Sequence, residues 1–92
     1  MKISVKLFGE FRAVVGADRL DLDLPEGTTC GEALRILAER EPVLGPLLFK
    51  EGRLREHLHV FVNGRNVAHL RGEATRLASG DAMTFFPPIS GG

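Results

Sequence analysis

Polar and apolar residues alternate with period two along Lys2-Ile3-Ser4-Val5-Lys6-Leu7-Phe8, which predicts a strand with Ile3, Val5 and Leu7 turned inward. The alternation returns in Arg19-Leu20-Asp21-Leu22-Asp23-Leu24, and Gly9 and Gly16 bracket a connection through Phe11 and Arg12. The two strands are expected to pair as a hairpin. Pro25-Glu26-Gly27 closes the second strand, and Thr29-Cys30-Gly31-Glu32 has the form of a capping box, an acceptor hydroxyl with a glutamate three residues on. A helix should start there, with Ala33, Leu34, Leu37 and Ala38 on its buried side, and end at Pro42. Between residues 41 and 57 the prolines and glycines interrupt any long element, so short turns packed on the core are expected. Leu58-His59-Val60-Phe61-Val62 predicts a strand with Leu58, Val60 and Val62 inward, ended by the turn dipeptide Asn63-Gly64. Val67 and Leu70 fit a short returning strand. After a turn at Gly80-Asp81, Ala82 to Phe86 predicts a last strand that buries Met83 and Phe85.

This succession describes an α+β domain of the β-grasp kind, a mixed sheet of about five strands with one main helix on one face. Residues 1–86 form its body. Pro87 and Pro88 cannot supply ladder hydrogen bonds, so residues 87–92 are expected to project as a flexible tail.

Composition narrows the function. A chain of 92 residues makes one small domain with little room for an enclosed active site. Its 12 basic and 12 acidic side chains balance, without the cationic surplus that binding to nucleic acid requires. No apolar run approaches the roughly 18 residues that span a bilayer, and the alternating start is unlike a signal peptide. The reading is a cytoplasmic protein with neither nucleic acid nor membrane as partner. Cys30 stands alone, without a CxxC partner, and reads as a small packing residue in preference to a reactive thiol. His57, His59 and His69 do not form a metal-ligand motif, and no phosphate-cradling GxxxxGK loop is present. No bound metal or cofactor is expected.

The chemistry gathers at the tail. Beyond Ile89 only Ser90, Gly91 and Gly92 remain, so the backbone can enter a channel too narrow for larger residues. What remains there is the terminal carboxylate of Gly92, which an adenylating enzyme could turn into an acyl adenylate open to sulfur or nitrogen nucleophiles. The protein would then be a substrate and no enzyme itself. Strand alternation also puts Phe8, Phe61 and Phe86 on the uncovered face of the sheet, rimmed by Lys6, Arg12 and His59. Such a cluster is a candidate docking surface. A bend that rotates Phe8 into the core is the alternative.

Phe85-Phe86-Pro87-Pro88-Ile89-Ser90-Gly91-Gly92, preceded by Gly80-Asp81, resembles the end of ubiquitin-like sulfur carriers of the molybdopterin synthase small-subunit type. The similarity extends through Leu7-Phe8, Phe11-Arg12, the run Leu24 to Thr29, and Val62-Asn63-Gly64. The resemblance implies a cycle in which an adenylating enzyme of the ubiquitin-activating type, using ATP and Mg²⁺, activates Gly92. A persulfide-bearing sulfurtransferase then helps convert it to a thiocarboxylate, which donates sulfur to a pterin precursor inside the synthase large subunit. It also implies that Phe8, Arg12 and Phe86 meet the partner. Related carriers serve cysteine or thiolated tRNA, and others are attached to protein lysines. The longer middle of this chain is similar to both the cysteine-forming carriers and the archaeal modifiers.

Overall fold

The computed structural model describes residues 1–56 and 58–87; His57 and the tail residues Pro88, Ile89, Ser90, Gly91 and Gly92 lie outside them. Along the chain come β1 (Lys2–Lys6), α1 (Gly9–Val15), β2 (Arg19–Asp23), α2 (Cys30–Arg40) and α3 (Gly45–Leu48). Then follow β3 (Phe49–Lys50), β4 (Arg53–Leu54), β5 (His59–Val62), β6 (Arg65–Asn66) and β7 (Ala82–Phe86). Five strands form one mixed sheet in the order β2-β1-β7-β5-β6, and β3 with β4 forms a separate hairpin. β1 runs antiparallel to β2 and parallel to β7, so the two ends of the body lie side by side at the sheet centre.

Alternation fixes which side chains meet. Ile3, Val5 and Leu7 from the first strand region join Val60, Val62, Met83 and Phe85 beneath Ala33, Leu34 and Leu37 of α2, all buried. α2 begins where the sequence signals it. The Glu32 amide donates to Thr29 Oγ1 at 3.3 Å while the Thr29 amide donates to Glu32 Oε1 at 3.2 Å, a reciprocal capping box. At the far end of the sheet, the two-residue turn Asn63-Gly64 takes positive φ at both positions, 51° and 81°, which matches the twist of a hairpin. Asn63 Nδ2 donates to Asp81 Oδ1 at 2.9 Å and the Ala82 amide donates to Asn63 Oδ1 at 2.9 Å, clasping that turn to the start of β7.

The expected antiparallel pairing of the first two strands is found, whereas the extent of β1 and of the returning strand is corrected. The connection between Gly9 and Gly16 is the helix α1, because Phe11 dives into the core edge-on against Phe85, with ring centroids 4.8 Å apart. β1 and β2 therefore pair antiparallel across a helical connection, and β1 ends at Lys6 where the chain turns into that helix. The returning strand near Val67 is shorter than expected: β6 stops at Asn66, whose side chain accepts from the Ala68 amide at 2.9 Å and starts a 3₁₀ turn over Val67–His69. Val67 is buried, as a core residue should be, whereas Leu70 is exposed.

Gly31, in the first turn of α2, is required by close approach. A Cβ built there would stand 2.9 Å from Glu73 Cβ and 3.3 Å from the Glu73 carbonyl oxygen, in the 3₁₀ turn packed on that helix end. Replacing Gly31 with Val should therefore cost about 1–3 kcal/mol by overpacking. Thermal unfolding of the variant is expected several degrees below wild type; an unchanged Tm would contradict the close packing.

Candidate docking face and tail root

The sheet face away from α2 receives the outward residues of β1, β7 and β5. In β7 these are Ala82, Thr84 and Phe86, and in β5 His59 and Phe61. Register places His59 opposite Phe86 and Phe61 opposite Thr84, all on one face. Thr84 Oγ1 donates to the Lys6 carbonyl at 2.8 Å and fastens this surface to β1. Phe8, just past β1, forms the N-cap of α1 in an extended conformation. Its ring stays outside.

Phe86 is the middle of three rings. Phe8 stacks on it with centroids 5.4 Å apart and planes 19° from parallel, and Phe61 meets it edge-on at 5.7 Å and 78°. Both geometries suit the ring quadrupole. Phe8 remains 44% exposed and Phe86 37% exposed, which decides against a bend that buries Phe8. Arg12 is exposed one turn into α1, its amide donating to the Phe8 carbonyl at 3.3 Å, and Lys6 is exposed two residues before Phe8. The structure thus brings together Phe8, Phe61 and Phe86, with Arg12, Lys6 and a half-buried His59 nearby. Exposed Pro87 follows Phe86 directly, so the tail begins at the ring cluster.

The sequence matches the ThiS family over residues 5–92. The chain belongs to the ThiS family. Small archaeal modifier protein 3 of Haloferax volcanii is 38% identical over 92 residues, the whole of both chains. The crystal structure of SAMP1 from Haloferax volcanii superposes with a TM-score of 0.89 at 31% identity, each chain fully covered. A candidate molybdopterin converting factor, subunit 1, from Pyrococcus furiosus gives a TM-score of 0.78 at 30% identity, over 97% of this chain and 99% of that one. The fold is the ubiquitin-like β-grasp, and the protein is a small carrier or modifier of that family.

In this ThiS-family chain Cys30 is a core residue. It is 1% exposed at the start of α2, and its Sγ lies 3.8 Å from Met83 Sδ. Burial, aided by the Glu73 carboxylate, pushes the thiol up to about 11 from an ordinary value of 9.0. The unfolded chain loses this proton first, so the group's contribution to stability is present below about pH 9 and is lost as pH rises towards 11. No three of the His, Cys, Asp and Glu side chains among the described residues gather closely enough to hold a metal ion. No helix among them is long and apolar enough to cross a membrane. Pro88, Ile89, Ser90, Gly91 and Gly92, the tail positions singled out from sequence, lie outside the described residues.

Sequence reasoning missed a groove beside the tail root. It lies between α1 and the β3–β4 hairpin, holds about 730 Å³, and is lined by the apolar Phe11, Leu47, Leu54, Leu58 and Pro87 together with charged side chains of the hairpin. The Lys50-Glu51-Gly52-Arg53 stretch could have marked the hairpin, since a glycine in the second turn position between two short runs is a hairpin signal.

Exposure separates the two kinds of phenylalanine in energy. Phe8→Ala should cost no more than about 1.5 kcal/mol, the scale of one aromatic pair, whereas Phe85→Ala should cost about 3–5 kcal/mol. Urea unfolding of both variants checks this, and equal losses would move Phe8 into the core. Iodoacetamide at pH 8 should leave Cys30 unmodified in the folded protein and alkylate it in urea. Rapid alkylation without denaturant would contradict the buried, protonated thiol.

Proposed function

We propose that this protein is a sulfur carrier whose Gly92 carboxylate is activated by a partner enzyme, with a molybdopterin precursor as the sulfur acceptor. The observation that carries the proposal is the position of the tail root. β7 ends at Phe86, in the middle of an exposed ring cluster, and the family match continues to residue 92. A partner seated on Phe8, Phe61 and Phe86 receives the start of the tail, exposed Pro87, at its own surface.

The chemistry proceeds by exchange at one carbonyl. A Gly92 carboxylate oxygen attacks the α-phosphorus of ATP in the adenylating enzyme, pyrophosphate leaves, and an acyl adenylate forms; Mg²⁺ belongs to that enzyme's nucleotide site. The outer sulfur of a sulfurtransferase persulfide attacks the carbonyl and AMP leaves with the former carboxylate oxygen. A second thiol then attacks the inner sulfur of the acyl disulfide. That releases the thiocarboxylate and leaves an ordinary disulfide on the sulfurtransferase. The chain supplies position: rings to dock on, Arg12 beside them, and Ile89, Ser90 and Gly91 as a slender lead to the reacting atom. Catalytic side chains belong to the partners, including the synthase large subunit into which the tail would insert. The molybdopterin reading is supported by likeness to the Pyrococcus furiosus converting-factor subunit.

A second fate begins from the same adenylate. A lysine amine attacks the Gly92 carbonyl, AMP leaves, and an isopeptide bond remains. Identity of 38% over the full length of small archaeal modifier protein 3 favours this reading.

ATP–pyrophosphate exchange with the cognate adenylating enzyme tests the shared step. Exchange should depend on this protein and fall to background when Gly92 is deleted, with the thermal unfolding curve unchanged. Exchange that persists without Gly92 would refute activation at this residue. Peptide mapping of cell lysates separates the fates: remnants of this tail on lysines support the modifier, and copurification with a synthase large subunit supports the sulfur donor.

A further inference from the structure

The β3–β4 hairpin carries an arrangement that folding alone does not favour. Lys50 and Arg53 stand directly opposite each other across its two strands, both exposed. Like charges in that position repel. The ion pairs among the described residues are Met1 with Asp23 and Arg19 with Asp21, so neither cation is held in a direct ion pair within the described fold. Glu10, Glu51 and Glu56 also line the groove, yet none forms an ion pair with Lys50 or Arg53.

The hairpin tip is held in place. The turn Glu51-Gly52 takes positive φ at both residues, 54° and 78°. From α2, Arg35 lays its guanidinium 4.9 Å from the Phe49 ring centroid and donates from Nη1 to the Gly52 carbonyl at 3.1 Å. Arg55 Nε donates to the Pro46 carbonyl at 2.8 Å and pins the other strand. The two cations therefore project from a braced support, which reduces the ordering cost of binding between them.

Their location identifies the partner. Pro87 lines the same groove as Lys50 and Arg53. The five residues from Pro88 to Gly92 reach at most about 18 Å when extended. An enzyme that encloses the Gly92 carboxylate brings its entrance within that distance of Pro87, which shares its groove with the hairpin.

We infer that an acidic segment at the entrance of the adenylating enzyme seats against Lys50 and Arg53, so that the hairpin beside the tail root helps select the enzyme that activates this chain. The inference rests on the proposed activation of Gly92. The apolar part of the groove accepts side chains flanking the acidic segment, and opposite charge speeds encounter and rejects mismatched enzymes.

Exchange kinetics with the full chain and its cognate enzyme test the inference. The double variant Lys50→Glu, Arg53→Glu should raise the KM for this protein about tenfold at low salt and leave kcat within about twofold. The difference should shrink at about 0.5 M salt, where exposed charges are screened. Lys50→Glu alone turns the cross-strand repulsion into attraction, so it should raise KM while leaving Tm equal or higher; a purely structural role would not move the two in opposite directions. An unchanged KM at low salt overturns the inference. So does a lowered KM, which would mean that the cations retain the chain's own terminal carboxylate. Wild-type exchange abolished by Phe8→Glu but insensitive to the charge swap would leave the activation reading standing and remove this one. No exchange with wild type would remove both.

Discussion

Parallel pairing of the first and last strands is the constraint on which the rest of this structure depends. Ser4, Val5 and Lys6 of β1 lie opposite Ala82, Met83 and Thr84 of β7, joining segments separated by most of the chain. Val5 and Met83 are wholly buried by that register. Alternation then sends Lys6, Thr84 and Phe86 to the open face and sets Phe86 between Phe8 and Phe61. A slip of one residue would expose Met83 and Phe85 and bury Thr84 and Phe86. The core and the open aromatic face are therefore two consequences of one register.

That register also joins fold to function. Phe86, the middle ring, is the last residue of β7 and Pro87 follows it directly, so the same burial that stabilises Phe85 holds Phe86 outward and determines where Pro87 begins. Under the proposed function, larger enzymes supply the catalytic groups and the body serves to present the Gly92 carboxylate to them. α1 contributes on both sides of the sheet edge: Phe11 locks it to Phe85, and its cap residue Phe8 stacks on Phe86.

Much of this was legible in the sequence where a local period or cap decided the outcome. The alternation around Val5, Val60 and Met83 marked the strands, and Thr29 with Glu32 marked the start of α2. The Phe8, Phe61 and Phe86 face followed from counting along strands. What escaped was set by tertiary packing. Phe11 has too few periodic neighbours in a seven-residue segment to announce a helix, and its burial depends on Phe85, 74 positions away. The 3₁₀ turn after Asn66 arose because that side chain captured the Ala68 amide, a competition between local and ladder hydrogen bonds. The groove beside Pro87 was invisible because the β3–β4 hairpin and α1 are brought together only by the complete fold.

The central claim is that the body exists to deliver the Gly92 carbonyl. Top-down mass spectrometry of the protein purified from its own cells addresses it most directly. The account predicts a population heavier by about 16 Da, one oxygen replaced by sulfur, with the added mass confined to the fragment ending in Gly92. Sulfur located elsewhere, or a Gly92 carboxylate that stays unmodified in cells making the activating enzyme and sulfurtransferase and forms no lysine conjugate, would contradict it.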